Sequence, residues 1–193
     1  MMRNANKMYL RGVLEDRDEF CNCGQPEMAA PRFFRDGVEQ VAWHARQGHA
    51  IVLVSGTLAP LAQEMALALV VRLAVRGVAG SVAVCATRLE ENMGRWTGQI
   101  VGDAMFGEAK GRAVRRMAEK AGFDLSRCYA YGDCVSDRWM LEAVGHASVV
   151  NPSWRMRRLA RQRGWNVLTW EEKRNLPQRA QSPQTRAETE KVA

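Results

Sequence analysis

The chain has 193 residues, a length typical of one domain or of one domain with an appendage. Its net charge of +7 suits an anionic partner such as a phosphate ester, but positive charge alone is weak evidence for nucleic acid, which we do not expect as a partner. The N-terminus does not resemble a signal peptide, and the apolar region Met65–Val75 is too short to span a bilayer and is interrupted by Arg72. We therefore expect a cytoplasmic protein with no membrane contact.

From Pro31 onward, apolar residues at helical spacing alternate with short apolar runs. The patterns predict helices over 33–47, 58–76, 108–121, 137–144 and 153–163. They predict strands over 50–54, 81–86, 127–131, 147–150 and 166–169, with a strand pair or extended arm over 94–101. The first of these strands, AIVLV, is wholly apolar, which predicts that it is covered on both faces. The alternation indicates an α/β fold with a mostly parallel sheet.

The two ends of the chain differ from this middle. Residues 173–193 are polar and contain two prolines, which predicts a disordered tail. Met1–Ala30 has weak periodicity and does not open with a strand, although a doubly wound domain usually begins with one whose carboxyl end carries chemistry. We therefore separate residues 1–32 from an α/β core over 33–172.

Three small or hydroxyl residues, Ser55, Gly56 and Thr57, follow the first predicted strand. In open α/β sheets ligands bind beyond the carboxyl ends of the strands, and hydroxyls with free N–H groups at a helix N-terminus suit an anion. Thr57 could equally serve only as the N-cap of the following helix. The residues alone leave both interpretations open.

Two acids follow the strand over 127–131, because Asp133 comes directly after Gly132 and Asp137 lies in the first turn of the next predicted helix. Carboxylate oxygens at such a position can hold a hard cation such as Mg²⁺. The alternative is an N-cap together with a favourable interaction with the helix dipole. That alternative explains one acid well and two acids less well, so the pair favours a metal site.

Lys110 begins the helix over 108–121, where a cation opposes the helix dipole. An anion opposite the lysine explains this position better than helix stability does, although a solvated lysine is the common alternative. Five arginines crowd the later helix from Arg155 to Arg163, either as an anion-binding patch or as a solvated face. The three histidines and the five cysteines show no metal-ligand spacing, and we expect reduced, incidental thiols.

In chain order these groups resemble motifs II, III and IV of the haloacid dehalogenase-like (HAD) superfamily. The stretches around them are similar to its phosphoserine-phosphatase-like branch from about Phe33 to Trp170, namely GHAIVLVSGTLAPLA, ATRLEENMGRWTGQIVG, AKGRAV and YGDCVSDRWMLEAVGHASVVNP. The resemblance implies a Rossmann-like core and a Mg²⁺-dependent phosphomonoester hydrolase that acts on a small phosphorylated substrate.

The resemblance also implies a role for each matching position. Ser55 and the Gly56 N–H would bind the phosphoryl oxygens, and Lys110 would be the catalytic cation that balances charge on the phosphoryl group. Asp133 would be a Mg²⁺ ligand, and Asp137 would complete or orient the metal site. These roles agree with the need of phosphoryl transfer for positioning and charge neutralisation.

The first motif of the family, Asp-x-Asp-x-Thr after an opening strand, has no clear counterpart. The nearest acids, Asp16 and Asp18, follow no apolar strand and precede no threonine, and residues 1–32 resemble the end of a truncated helical cap. We therefore expect this sequence to lack the nucleophile and most of the cap, so that catalysis by this chain alone is in doubt.

Three explanations of that departure stay open: a fragment or wrongly started reading frame of an active phosphatase, an inactive relic, and a chain completed by an N-terminal partner. Exposed sheet edges would also favour a homodimer. The competing function is a non-catalytic module that binds phosphate or a polyanion through the Arg155–Arg163 helix.

Overall fold

A computed structural model describes residues 33–171 of the protein. Its α-helices are α1 (Arg35–Arg46), α2 (Ala59–Ala74), α3 (Glu108–Ala121), α4 (Arg138–Leu141) and α5 (Trp154–Arg163). Its strands are β1 (Ile51–Leu58), β2 (Val82–Asn92), β3 (Arg95–Val101), β4 (Tyr129–Gly132), β5 (His146–Val150) and β6 (Asn166–Leu168). The cap remnant expected over 1–32 and the tail expected over 173–193 lie outside the described residues.

The strands form two three-stranded sheets, in the orders β1-β2-β3 and β4-β5-β6. β1 pairs with β2 in parallel, and so do β4 with β5 and β5 with β6, whereas β2 and β3 form an antiparallel hairpin. This topology confirms the predicted α/β fold with mostly parallel pairing. Within residues 33–171, β1 and β4 each have one edge that no strand pairs.

β1 is less covered than its apolar sequence predicts. Val52 is 38% exposed, and Ile51, Leu53 and Val54 are only half-buried. The prediction of a strand covered on both faces is therefore wrong for the described residues. The reason is that β1 lies at the edge of its sheet there, so neighbouring strand residues flank it on one side alone.

Two boundaries near the predicted chemical groups also differ from the sequence pattern. β1 continues through Ser55–Thr57 to Leu58, because β2 runs alongside it beyond the predicted end, with an irregular register between Ser55 and Leu58. Leu58 is the N-cap of α2, so Thr57 does not cap that helix. The helix predicted over 137–144 is a 3₁₀ turn at Val135–Asp137 followed by the four-residue α4.

The buried apolar residues form two clusters. The larger joins β4 and β5 to α4 and α5, and consists of Ala130, Met140, Leu141, Ala147, Val149, Met156 and Ala160. The smaller lies between α1 and α2 and consists of Ala42, Leu73 and Val78. Val54 of β1 packs against the larger cluster, which places β1 beside the second sheet.

α2 is apolar on its solvent side as well as on its buried side. Leu67 is 55% exposed and Val71 is 62% exposed, one helical turn apart. The helix has only 16 residues, and across residues 33–171 the structure contains no helix with the length and apolarity needed to cross a membrane. The exposed stripe would suit the expected homodimer, which stays a proposal.

The three histidines of the chain meet in an aromatic cluster that their spacing does not reveal. His44 is buried, with its Nδ1 atom 2.9 Å from Nδ1 of His49 and its Nε2 atom 2.9 Å from the Tyr131 hydroxyl. The Tyr129 ring stacks on His49 and on His146, at centroid distances of 5.7 and 4.4 Å. The cluster ties the end of α1 to β4.

We expect the free energy of unfolding to fall as the pH drops below about 6.5, the ordinary pKa of histidine. Burial, and then the charge of His49, hold the pKa of His44 below that value. The unfolded chain then binds a proton that the folded chain does not, so this stability is complete above the unfolded pKa and is lost as the pH falls towards the folded pKa. For one proton the loss is at most about 1.4 kcal/mol per pH unit.

Urea unfolding at about pH 7.5 and about pH 5.5 measures this effect. His44→Gln should lose less stability on acidification than the unsubstituted protein. Identical pH dependence in the unsubstituted protein and in His44→Gln would contradict the prediction.

Candidate functional site

The site is built where β4 ends. Asp133 follows the last residue of the strand, Gly132, and the 3₁₀ turn at Val135–Asp137 brings Asp137 back against it. A Cβ atom on Gly132 would lie 2.7 Å from Cβ of Asp137, closer than side chains pack. Gly132 therefore permits the close approach that places both carboxylates at one edge of the sheet.

Lys110 and Asp137 form a buried ion pair. Lys110 Nζ donates to Asp137 Oδ1 at 2.6 Å, and the two side chains are 11% and 5% exposed. Burial alone raises the pKa of Asp137, but the hydrogen bond and charge of Lys110, together with bonds from Cys134, outweigh it and leave the pKa below its ordinary value. The anion that the sequence predicts opposite Lys110 is therefore supplied, in this structure, by Asp137.

The second oxygen of Asp137 is also engaged. Oδ2 accepts from the backbone N–H of Asp133 at 3.2 Å and from that of Cys134 at 3.4 Å. The Asp133 side chain, by contrast, is exposed, and no hydrogen bond or ion pair to its carboxylate is found among residues 33–171. Asp137 thus fixes the turn and holds the lysine, while Asp133 presents an exposed carboxylate to solvent.

Asp133, Cys134 and Asp137 are the one group among residues 33–171 whose side chains converge as metal ligands do, with donor atoms within 4.8 Å of one another. Mg²⁺ is commonly held by one or two carboxylates together with waters and substrate phosphate, so a free Asp133 beside Asp137 fits it. Cys134 adds a thiol that the spacing of the two acids does not reveal. Burial, with the charge of Asp137, raises the pKa of the Cys134 thiol, which keeps it protonated and a poor ligand for a hard cation.

Ser55 and Gly56 lie in the last part of β1. The Ser55 hydroxyl accepts from the N–H of Thr57 at 3.2 Å, and no hydrogen bond within residues 33–171 joins Ser55 to Lys110 or to either aspartate. Gly56 is exposed. The structure therefore brings Lys110, Asp133 and Asp137 into one cluster and leaves Ser55 and Gly56 on a neighbouring strand end.

Thr87 links that strand end to the segment before α3. Its hydroxyl donates to the carbonyl of Gly56 at 3.1 Å and accepts from the N–H of Met105 at 3.0 Å, and its side chain is buried. Sequence reasoning missed this residue because a β-branched residue in a strand is ordinary. Through Thr87 the backbone of Gly56 is fixed relative to the loop that leads to Lys110.

α3 is held against α4 by a glycine contact one residue from Lys110. A Cβ atom on Gly111 would lie 2.8 Å from the carbonyl oxygen of Trp139, and the Arg138 guanidinium lies over the Trp139 ring at 3.9 Å. The close approach of the two helices sets the distance that the Lys110 side chain spans to Asp137.

The chain matches the family model described as haloacid dehalogenase-like hydrolase over residues 1–142. It is 35% identical to a probable phosphatase of Mycobacterium tuberculosis over 161 residues, which are 83% of this chain and 52% of that protein. It is 36% identical to the phosphoserine phosphatase SerB1 of the same organism over 141 residues, 73% of this chain and 42% of that protein. The chain thus spans about half the length of these relatives.

A solved structure of a protein of unknown function from Bordetella pertussis Tohama I is similar to the chain with a TM-score of 0.59 and 30% identity, over 78% of this chain and 63% of that one. The fold, the order of the motifs and the family match agree with the resemblance found in the sequence. The chain belongs to the haloacid dehalogenase-like hydrolase family, and its homologues include phosphatases.

Proposed function

We propose that this chain supplies the phosphate-binding and Mg²⁺-binding part of a phosphomonoester hydrolase similar to phosphoserine phosphatase. The observation that carries the proposal is the buried Lys110–Asp137 pair beside the exposed Asp133 carboxylate, at the carboxyl end of a parallel strand. A cation and a free carboxylate placed together suit a phosphate ester that binds with a hard metal ion.

Each residue has a separate task in this proposal. Asp133 holds Mg²⁺, which supplies neutralising charge to the phosphoryl group when bound. Asp137 keeps the Lys110 ammonium at the site and orients the Asp133 backbone. The Gly56 N–H and the Ser55 hydroxyl bind phosphoryl oxygens from the neighbouring strand end.

The nucleophile is the part that we assign outside the described residues. Phosphoryl transfer through a covalent intermediate needs a further aspartate, and the convergent group within residues 33–171 holds only Asp133, Cys134 and Asp137. We propose that this chain by itself binds phosphate or a phosphate ester with Mg²⁺ and turns the ester over slowly or not at all.

The edges of β1 and β4 that no strand pairs within residues 33–171 support a completing strand between the two sheets. Val54 of β1 already packs against the cluster around Ala130 of β4, so the sheets lie side by side without hydrogen bonds between these strands in the described part of the chain. A completing N-terminal partner and a homodimer are the two assemblies that we propose for these edges. Sedimentation of the purified chain tests the homodimer, which would have twice the mass of the single chain.

The test measures hydrolysis of an aryl phosphate and, separately, calorimetric binding of inorganic phosphate, each with and without Mg²⁺. Asp133→Asn should abolish Mg²⁺-dependent phosphate binding. Asp124→Asn, the matched control, lies at the other end of β4, where asparagine can replace the capping carboxylate, and should bind phosphate normally.

Fast hydrolysis by the purified chain that depends on Asp133 would overturn the proposal of slow turnover, and Asp16 and Asp18 would then be replaced to find the nucleophile. Phosphate binding that changes neither on removal of Mg²⁺ nor in Asp133→Asn would overturn the proposal that phosphate binds at Asp133. The competing function, a non-catalytic module acting through the arginines of α5, predicts that anion binding survives Asp133→Asn.

A further inference from the structure

One face of α5 carries an exposed tryptophan among exposed arginines. At 100° per residue, Arg157, Arg158 and Arg161 all lie within about 60° of Trp154 around the helix axis. All four side chains are exposed, and Trp154 is 70% exposed, which is unusual for so large an apolar side chain. We refer to these four residues as the α5 face.

The three arginines of the α5 face have no ion-pair, hydrogen-bond or ring partner within the described part of the chain. Other arginines of the same helix do have partners, because Arg163 contacts Glu142 at 2.9 Å and Arg155 lies 5.2 Å from the Trp154 ring. The unpaired charges are therefore confined to the face and are not a general property of the helix.

The α5 face does not serve the stability of the fold. The helix is anchored by Met156 and Ala160, which are fully buried on its other side. Arg157 and Arg161 stand one turn apart, a spacing at which like charges repel, and α5 contains no acid to offset them. An external anion would remove this repulsion, which makes the face a surface for a partner.

We propose that the α5 face binds single-stranded nucleic acid. Guanidinium groups one turn apart can contact successive phosphates, and an exposed indole ring offers a stacking platform for a base. A bilayer surface fits less well, because Trp154 is the only large apolar side chain exposed on α5 and leaves little area to insert. This surface shares no residue with the Asp133 site and requires no catalytic activity.

The experiment measures binding of a fluorescein-labelled oligo(dT) by anisotropy over a range of salt concentrations. Neutralising three phosphates on a single strand gives a slope of about −2 in log affinity against log salt. Arg157→Gln/Arg158→Gln/Arg161→Gln should reduce that slope to nearly zero, and Trp154→Ala should weaken binding about tenfold at constant salt.

The matched control removes three exposed arginines from α3, as Arg112→Gln/Arg115→Gln/Arg116→Gln, and so changes the net charge equally. This control should keep most of the affinity and the response to Trp154→Ala. Equal losses in the two triple variants, or no binding at low salt, would overturn the proposal. Tighter binding to phosphatidylglycerol vesicles than to oligo(dT), also lost in Trp154→Ala, would overturn it in favour of a bilayer contact.

Discussion

Replacing Lys110 with methionine should lower the free energy of unfolding by about 3 kcal/mol, because it leaves the carboxylate of Asp137 buried without its counter-charge. Asp137→Asn should also destabilise the protein, since the Lys110 ammonium is then buried without a carboxylate. Urea unfolding at neutral pH measures both changes.

The exposed pair Arg112–Asp103 provides the matched control. These side chains are 50% and 38% exposed, so Arg112→Met should cost less than about 1 kcal/mol. The double variant Lys110→Met/Asp137→Asn should lose less stability than the sum of the losses in the two single variants, because neither buried charge remains without its partner. A loss in Lys110→Met no larger than that in Arg112→Met would show that the buried pair is not a source of stability.

Acidification should destabilise the protein through the same Lys110–Asp137 ion pair. The pKa of Asp137 is held below its ordinary value, so the stability from the ionised carboxylate is present above the unfolded pKa of about 3.9 and is lost as the pH falls through the folded pKa. Lys110→Met should raise the pKa of Asp137, because burial then acts with less opposition, and should therefore reduce the stability that the protein loses on acidification, as urea unfolding at two pH values measures.

The second large effect is expected at Gly111. Glycine to alanine inside a helix normally adds about 1 kcal/mol of stability. Here the added methyl group would meet the backbone of Trp139, with distances of 2.8 Å to the carbonyl oxygen and 3.0 Å to the carbonyl carbon, so α3 and α4 must separate. We expect a net destabilisation of about 1–3 kcal/mol.

Gly111→Ala should also weaken Mg²⁺-dependent binding of inorganic phosphate, because Lys110 moves with α3 away from Asp137. The control is Gly80→Ala, where the nearest atom is Cβ of Ala45 at an ordinary contact distance of 3.8 Å. Gly80→Ala should leave unfolding and phosphate binding nearly unchanged. If Gly111→Ala is as stable as the unsubstituted protein, α3 and α4 are not in the close contact described here.

The site residues were predicted from their amino-acid types and from their positions at the ends of predicted strands and helices. The structure adds how they are arranged in space. The sequence placed Lys110 at a helix start, where an anion was expected, and the structure places Asp137 there. It did not reveal Thr87, whose role arises from contacts between distant segments, or Cys134, whose thiol meets Asp137 only through the geometry of the 3₁₀ turn. The functional roles of the predicted site residues stay predictions, to be decided by the phosphate-binding measurements.

Positive net charge gave no reason to expect a nucleic-acid partner, because it does not say where the charges lie. The helix fold of residues 154–163 adds that information. It turns Arg157, Arg158 and Arg161 to one side together with Trp154, while Arg163 turns towards Glu142. The proposal for the α5 face thus rests on a distribution of charge that composition cannot show.

The sequence by itself determined the α/β class, the parallel pairing and the family, because these depend on local periodicity and on residues at strand ends, such as Gly132 and Asp133. The tertiary structure alone decided which groups meet: the histidines around Tyr129, the buried Lys110–Asp137 pair, and the incomplete cover of β1. The physical reason is that hydrophobic period and turn chemistry act over a few residues, whereas burial and charge pairing depend on segments far apart in the chain.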